Sequence, residues 1–273
     1  MRRSLMPEGP ECRKIGLQLA KRVSERKLLD IKILSGRYES QGFPTGFEKF
    51  MEWTPIGIHG AGVHGKFLFF LLEGEWSIWS TLGMSGTWTN DKNKHSRVEF
   101  VMNDGSIFFT DTRNFGTLKF VRGKQLIIDK LESLGPDLLA EEIDDWKFAE
   151  RLQNKSEKTI AQALMDQSIV SGIGNYIKAE ALYNAKISPH RIVSSLDMEE
   201  ITALNKAVRG VLVESFESGG ATIKTYADMN GKIGKFSQRF AVYGQKNDPD
   251  GNDVIKEKTK DGRMTHWVPA VQK

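Results

Sequence analysis

The sequence predicts an α+β fold in two lobes joined by a hinge. Three observations lead to this prediction: an amphipathic helix near the N-terminus precedes a block of short strands, the pattern becomes helical from about residue 144 onward, and residues 236–273 have the turns of a hairpin. Several short strands with closely spaced turns are typical of a sandwich or a barrel. With 273 residues, the chain can form one large domain or about two to three small ones.

The first lobe begins with the amphipathic helix. Cys12, Ile15, Leu19 and Val23 recur at helical spacing and form its predicted buried face. The block that follows contains short apolar or alternating segments, separated by Gly or Asn-Asp turns, at residues 28–34, 66–72, 76–81, 97–102, 106–110 and 117–121. These strands end before a linker at residues 134–137.

The second lobe is helical and closes with a hairpin. Asn175 is predicted to N-cap a helix over residues 176–184. Asp197 and Glu200 form a capping pair for a longer helix, which ends at the glycine pair 219–220. The final part predicts strands at 240–243, 254–256 and 265–268, with turns at 248–252 and 261–262.

Composition excludes several classes of protein. The one cysteine, Cys12, rules out an internal disulfide framework and a multi-cysteine metal site, which fits a reducing, intracellular setting. No apolar run is long enough to span a bilayer, and no hydrophobic stretch follows residues 1–5 as it would in a secretory signal. The net charge of +4 is compatible with nucleic-acid binding.

Residues 6–11, Met-Pro-Glu-Gly-Pro-Glu, place an amine and an acid side by side. If Pro7 becomes the N-terminus, its nitrogen is a secondary amine that can form an iminium ion with a sugar aldehyde carbon, and Glu8 can transfer a proton. While residues 1–5 precede the motif, that nitrogen is an amide. Taken alone, the hexapeptide is more typical of a structured turn before a helix.

Five segments of the chain carry a common signal: residues 6–11, residues 64–68 (His-Gly-Lys-Phe-Leu), residues 82–86 (Leu-Gly-Met-Ser-Gly) with 111–116 (Asp-Thr-Arg-Asn-Phe-Gly), residues 167–189, and residues 242–272. In this order they resemble the formamidopyrimidine-DNA glycosylase and endonuclease VIII family of base-excision repair enzymes, and the resemblance runs from Met6 to Gln272. One segment alone is weak evidence, but five in family order make Pro7 a predicted nucleophile.

The resemblance implies three domains. An N-terminal catalytic β-sandwich domain preceded by a helix is expected over residues 1–135. A helical domain with a helix–two-turn–helix DNA-binding motif is expected over residues 136–235, and a C-terminal zincless finger, a β-hairpin, over residues 236–273. The implied enzyme is a bifunctional glycosylase and AP lyase that acts as a monomer, without a cofactor, on double-stranded DNA containing oxidised bases or abasic sites, in the nucleus or nucleoid.

The resemblance also assigns roles to residues. A flipped-out nucleotide would be attacked at C1′ by Pro7, with Glu8 at the sugar ring oxygen and Lys66 as a cation or proton donor near the base or phosphate, before β- and δ-elimination. The residues expected to fill the gap in the duplex are Met84, Arg113 and Phe115, and those expected to bind phosphates are Asn175 and Arg263. Without the resemblance, Lys66 would be interpreted as a surface lysine and Arg263 as a solvated turn residue.

Residues 219–234 resemble the loop that caps the damaged base in the formamidopyrimidine branch, which favours oxidised purines, including formamidopyrimidines, as substrates. Glu11 is expected to be structural or to orient Pro7.

Two departures from the family pattern stand out. The finger normally binds zinc through four cysteines, but here Val268 and Val271 occupy the second pair and the loop 247–252 contains none. The chain is therefore similar to the zincless branch, in which packing of these valines and Trp267 would replace the metal. The acidic loop lacks the spacing of a calcium site, so we expect a turn. Thr81 stands where many members have a phosphate-binding histidine.

Two other functions remain open at this stage. One is a non-catalytic protein of the same fold that binds damaged DNA or abasic sites, with the amine masked by residues 1–5. The other is an RNA-binding protein that shares only the helix–two-turn–helix. Such a protein would need neither Pro7 nor Lys66, which argues against it.

Overall fold

The structure, a computed structural model, describes residues 6–221 and 227–273. These residues form two compact units. The first contains Met6, Pro7, Glu11–Ser133 and the described residues of Gly219–Gly234, and the second contains Glu8–Pro10, Leu134–Ser218 and Lys235–Lys273. The division into three domains at residues 135 and 235 stays a prediction.

The first unit contains a long helix, an antiparallel sheet and short helices. Its elements in chain order are α1 (Gly9–Val23), β1 (Arg26–Ile33), α2 (Arg37–Ser40), α3 (Phe47–Met51), β2 (Ile56–His64), β3 (Phe67–Leu72), β4 (Trp76–Thr81), β5 (Gly86–Thr89), β6 (Ser96–Met102), β7 (Gly105–Asp111), β8 (Thr117–Arg122) and α4 (Lys124–Glu132). Residues Gly9 and Pro10 of α1 belong to the second unit.

The eight strands form one antiparallel sheet in the order β5-β7-β6-β1-β2-β3-β4-β8. The sheet folds back on itself, because Trp88 of the edge strand β5 packs on Phe70 of β3 with ring centroids 5.1 Å apart. The Nε1 atom of Trp88 also donates to Ser80 Oγ of β4 at 3.1 Å. Four strands separate β5 from β3 in the sheet, so these contacts join two layers and confirm the predicted α+β fold with its β-sandwich.

Helix α1 packs on this sandwich through its predicted face. Cys12, Ile15, Leu19 and Val23 are all buried in the main apolar core. A Cβ atom on Gly16 would lie 2.5 Å from the Val63 side chain, so the helix approaches β2 closely only because that residue is glycine.

Strands β2 and β5 and the helices α2, α3 and α4 lie outside the predicted elements. Strand β2 carries Gly57, Gly60 and Gly62, which weaken its strand propensity. A Cβ on Gly62 would lie 2.4 Å from the Phe69 ring, so a neighbouring aromatic side chain occupies the space above this glycine. Cross-strand packing, which local propensity does not report, therefore compensates for the weak sequence signal.

The second unit is helical and ends in a short hairpin. Its elements are α5 (Asp145–Gln153), α6 (Ile160–Met165), α7 (Asn175–Asn184), α8 (Met198–Glu217), β9 (Ile255–Lys258) and β10 (Met264–Trp267). The predicted capping pair of α8 is confirmed, because Asp197 and Glu200 exchange side-chain to backbone bonds in a capping box.

Two predictions for this unit are wrong. The N-cap of α7 is Gly174, and Asn175 is already its first helical residue. The segment 240–243 is a loop, because its backbone amides bind the carboxylate of the buried Glu180, with Ala241 N at 2.8 Å and Tyr243 N at 2.7 Å. Burial raises the pKa of Glu180, an effect that these amide bonds oppose.

The finger hairpin is held by apolar packing. Ala179 of α7, Val242 and Val268 form a small buried cluster, against which Val271 packs. The predicted packing of the two valines is therefore confirmed. Trp267 lies outside this cluster and donates from Nε1 to Glu257 at 2.6 Å. Within the described residues, no helix combines the length and the apolar character that crossing a membrane requires.

Candidate active site

Glu8 is buried at the start of helix α7. Its side chain is 1% exposed, and its two carboxylate oxygens accept hydrogen bonds from the backbone N–H groups of Tyr176 at 3.0 Å and Ile177 at 3.2 Å. These donors belong to the first turn of the helix, where amides lack intrahelical partners and the helix dipole favours an anion. The helix therefore holds the Glu8 carboxylate in one orientation directly after Pro7, which is buried as well.

The glycine at position 174 makes this approach possible, and a backbone hydrogen bond fixes the neighbouring chain. A Cβ on Gly174 would lie 2.2 Å from the Glu8 carboxyl carbon, so a larger residue would displace the acid. The backbone N–H of Gly9 donates to the carbonyl of Gly172 at 2.8 Å, which fixes the chain on the other side of Glu8. The motif Gly172-Ile-Gly-Asn-Tyr thus surrounds and binds the side chain of Glu8, the predicted catalytic acid.

Lys66 lies in a hairpin turn rather than at the start of a strand. His64 pairs with Phe67, so Gly65 and Lys66 form a two-residue turn, in which Gly65 has φ +56°. The Lys66 side chain is half-buried. The turn places Lys66 at the end of the β2–β3 ribbon.

The three predicted gap-filling residues lie at the same end of the sheet as Lys66. Phe67 pairs with Thr81, and Thr81 pairs with Thr117. The β2–β3 turn, the loop after β4 and the loop before β8 therefore lie at the same end of their strands. Met84 is half-buried, whereas Arg113 and Phe115 are exposed. The strand register therefore places Lys66 at the same end of the sheet as the three predicted gap-filling residues.

Asp111 joins the loop after β4 to the loop before β8. Its carboxylate accepts from the Ser85 hydroxyl at 2.5 Å, from Arg113 N at 3.0 Å and from Gly116 N at 2.7 Å. The side chain is completely buried. The loop containing Met84 and the loop containing Arg113 are consequently fixed to each other. The Arg113 guanidinium also stacks 5.0 Å over the Phe115 ring.

Thr81, which departs from the family pattern, is exposed at this end of the sheet. Its hydroxyl lies 2.7 Å from the hydroxyl of Thr117 on β8. A neutral hydroxyl in this position can donate one hydrogen bond but supplies no positive charge.

Asn175 and Arg263 come together through the finger turn. The Asn175 Nδ2 atom donates to the carbonyl of Met264, the residue after Arg263, at 2.9 Å. The Arg263 side chain is exposed. The first turn of α7 therefore binds both Glu8 and the finger turn, so one element positions the predicted acid and the predicted phosphate ligands.

The described ends of the segment 219–234 are attached to helix α1. Glu11 Oε1 accepts from Ala221 N at 2.6 Å, and Lys14 Nζ forms an ion pair with Asp228 Oδ2 at 3.0 Å. Burial alone would raise the pKa of Asp228, but the bonds from Lys14 and from backbone amides outweigh it and lower the pKa. Residues 222–226 of this predicted base-capping segment lie outside the described residues.

Sequence reasoning missed several residues of the site. Lys178 and Glu180 are not among the residues to which the sequence assigns a role, yet both are buried on α7 and bind the finger. The available signal was that the apolar residues of α7 are spread around the helix instead of forming one stripe, which is typical of a buried helix. Asp111 and Ser85 stand inside quoted motifs, but only the folded loops show that they bond each other.

The acidic loop of the finger forms the expected turn. The Asp248 carboxylate accepts from the backbone N–H groups of Asp250 at 3.1 Å and Asn252 at 2.7 Å and from the Tyr183 hydroxyl at 3.1 Å. Burial and this acidic neighbour raise the pKa of Tyr183 to about 12. Hydrogen-bond donors of the protein thus surround Asp248, and within residues 6–221 and 227–273 no cluster of three metal-binding side chains is found.

Comparisons with known proteins cover nearly the whole chain. Family models match in three parts: the formamidopyrimidine-DNA glycosylase N-terminal domain over residues 6–118, the H2TH domain over residues 134–227 and the C-terminal domain over residues 232–273. The formamidopyrimidine-DNA glycosylase of Shouchella clausii is 35% identical over 277 residues, which span 98% of this chain and 99% of that protein.

Two solved structures share the fold. A mutant of Lactococcus lactis Fpg in complex with DNA containing Fapy-dG has a TM-score of 0.86 and 28% identity, covering 98% of this chain and 100% of that chain. The complex of L. lactis Fpg with DNA containing an abasic site has a TM-score of 0.84 and 29% identity, covering 97% and 99%.

Proposed function

We propose a substrate and a second reaction for this chain, which belongs to the formamidopyrimidine-DNA glycosylase family and is a DNA glycosylase of base-excision repair. It removes oxidised purines and formamidopyrimidines, and it then cleaves the strand as an AP lyase. The ligands of the two L. lactis complexes, Fapy-dG and an abasic site, support this choice of substrate. We also propose that the protein acts as a monomer on double-stranded DNA, in the nucleus or nucleoid.

The proposed nucleophile is the nitrogen of Pro7. Once residues 1–6 are removed, its lone pair attacks C1′ of the flipped nucleotide, and the base leaves with the electron pair of the glycosidic bond and a proton. Glu8 acts at the sugar ring oxygen, so that the ring opens to an iminium ion. The iminium makes the C2′ proton acidic, and loss of that proton expels the 3′ phosphate by β-elimination. Loss of a second proton, from C4′, then expels the 5′ phosphate by δ-elimination.

The observation that carries this proposal is the placement of the Glu8 carboxylate on two amides of α7, adjacent to Pro7 in the chain. A buried carboxylate is costly unless it is bound in this way. An acid held in one orientation beside an amine is the arrangement that proton-assisted covalent catalysis requires.

The remaining site residues are assigned around this pair. Lys66 supplies a cation near the leaving base or its phosphate, and Met84, Arg113 and Phe115 fill the gap left by the extruded nucleotide. Asn175 and Arg263 bind the flanking phosphates. The strand register supports the grouping of Lys66 with the gap-filling residues, and the α7 contacts support the grouping of Glu8 with the phosphate ligands.

Borohydride trapping tests the covalent mechanism. A protein that begins at Pro7 is expected to form a stable adduct with abasic-site DNA, because borohydride reduces the iminium. The control Pro7→Gly replaces the secondary amine by a primary one and removes the ring. A protein beginning at Pro7 that binds the DNA but gives no adduct would contradict the assignment.

A second candidate is a non-catalytic protein that binds damaged DNA or abasic sites. It is favoured by residues 1–5, since the Pro7 nitrogen is an amide while any residue precedes it. Mass spectrometry of the purified protein's N-terminus separates the two functions. Pro7 as the first residue supports catalysis, whereas a retained Met1 together with lesion binding and no strand cleavage supports the second candidate.

A further inference from the structure

A buried ion pair lies beneath the finger turn. Lys178 of α7 is completely buried, and its Nζ atom bonds the carboxylate of Asp261, whose side chain is only 2% exposed. The same Nζ atom donates to the Thr265 hydroxyl at 2.8 Å. Burial lowers the pKa of Lys178, and the neighbouring carboxylate opposes this effect.

Two threonines close the pair into a ring of polar groups. The Thr265 hydroxyl lies 2.6 Å from the Thr259 hydroxyl, which donates to Asp261 Oδ1 at 2.5 Å. Both threonines are buried. Hydrogen bonds therefore run from Lys178 through Thr265 and Thr259 to one oxygen of Asp261, while Lys178 binds the other oxygen directly.

The ring holds the backbone of Arg263 on both sides. Arg263 N donates to Asp261 Oδ1 at 3.2 Å, and the Arg263 carbonyl accepts from Thr259 N at 3.0 Å. Asn175 binds the next carbonyl, that of Met264. The main chain of Arg263 is thus fixed, whereas its guanidinium extends from the surface.

A buried ion pair contributes little net free energy to folding stability. Removing two charges from water costs much of what their attraction returns, and apolar residues of similar volume often stabilise a core equally well. A charged pair does, however, impose one geometry on its hydrogen-bonded neighbours. This feature suits a finger whose strands carry no cysteine, since Cys12 is the only one in the chain.

We propose that Lys178 and Asp261 are positioning residues that fix the Arg263 backbone, so that its guanidinium is already placed for a DNA phosphate. The inference rests on the proposed role of Arg263 as a phosphate ligand. Because the turn is ordered before DNA arrives, binding does not have to supply the cost of ordering it.

A double-mutant cycle tests the inference on the protein that begins at Pro7. Dissociation constants for a duplex with a tetrahydrofuran abasic analogue are measured between about 50 and 200 mM salt. Arg263→Gln is expected to weaken binding about tenfold and to reduce the slope of log K against log salt by about 0.9. Lys178→Met is expected to change both quantities in the same direction, but to add nothing in the Arg263→Gln background.

Two further variants keep the test independent of folding. Lys178→Met with Asp261→Leu removes both charges and leaves neither buried alone, and Thr259→Val breaks the ring without changing charge. Each should melt cooperatively and still lose the salt-dependent contact. The exposed Lys206 of α8 provides the control, since Lys206→Met removes one charge from the same unit and should leave affinity and slope unchanged.

The outcomes separate the inference from the function beneath it. If Arg263→Gln changes neither quantity, Arg263 is not a phosphate ligand and the proposed function loses that residue. If Arg263→Gln weakens binding but Lys178→Met leaves affinity and slope unchanged, or weakens binding equally in both backgrounds, the positioning role is refuted while the phosphate contact stands.

Discussion

At the scale of single residues, the position of Glu8 depends on Gly174. A Cβ at this position would lie 2.2 Å from the Glu8 carboxyl carbon. We therefore predict that Gly174→Ala displaces the acid and lowers the single-turnover rate of base removal by about 100-fold, which is typical of a catalytic group moved by about 1 Å. DNA affinity should change much less, since Arg263 is untouched.

Gly210 of α8 provides the matched control. A Cβ there meets no atom within 4 Å, so Gly210→Ala should keep the wild-type rate and stabilise the helix by up to about 1 kcal/mol. A folded Gly174→Ala protein with the wild-type rate would show that the binding of Glu8 to α7 is not needed for catalysis.

At the same scale, Asp111 fixes the two loops that carry the proposed gap-filling residues. Asp111→Ala removes the acceptor of three hydrogen bonds and leaves the amides of Arg113 and Gly116 without this partner. We expect a loss of about 2–4 kcal/mol in unfolding free energy, from two or three lost bonds. Excision of a paired oxidised base should fall more than cleavage of a preformed abasic site, because extruding a paired base costs more.

Ser85→Ala is the milder companion, since it removes only one of the three donors to Asp111. Parallel gel assays on the two substrates measure the ratio of excision to cleavage. Equal losses on both substrates for Asp111→Ala would argue that these loops support the fold and not base extrusion.

At the scale of elements, one face of α1 serves two purposes. Ile15 and Leu19 enter the core, while Glu11, Lys14 and Gln18 bind the described ends of the segment 219–234. The spacing of the second set, at i, i+3 and i+7, is that of one helical stripe. Helix α1 therefore holds the described ends of this segment in place within the first unit.

Acid titration tests this attachment. The pKa of Asp228 is lowered in the folded protein, so the stability that the carboxylate contributes is present above its ordinary pKa of about 3.9 and is lost as pH falls through the folded value. We predict that Asp228→Asn lowers the unfolding free energy by about 1–3 kcal/mol at pH 7. The gap between variant and wild type should shrink as the pH falls below about 4.

Urea denaturation at neutral and acid pH measures this gap. Asp250→Asn is the control, since this exposed carboxylate lies in the finger loop. A gap for Asp228→Asn that stays constant down to acid pH would mean that the ionised form is not what binds Lys14.

At the scale of the whole molecule, charge predicts how binding depends on salt. The net charge is only +4, so affinity should come from local cations rather than from a strong overall field. If Lys66 and Arg263 each neutralise one phosphate, the slope of log K against log salt is about −1.8 or steeper. Affinity should then fall at least about tenfold between 50 and 200 mM salt. Titrations at several salt concentrations check this, and a flatter dependence would contradict two phosphate contacts.

How far the sequence alone reaches differs from element to element. The buried face of α1 and the capping box of α8 were predictable, because helical periodicity and a cap depend on residues within a few positions. Strand β2 was not, because its glycines lower the local signal and its neighbours β1 and β3 supply the pairing. The strand at 240–243 was wrong, because Glu180 takes its amides from 61 to 63 residues away.

The sequence by itself determined that a block of strands precedes a block of helices, and it determined the chemical identity of the candidate groups, including the Pro7–Glu8 pair and the lack of cysteines in the finger. Only the tertiary structure decided where those groups are held. The binding of Glu8 to α7 joins positions 168 residues apart, and the bond of Lys178 to Asp261 joins positions 83 apart. Contacts of this range arise from packed faces, and local propensity contains no information about them.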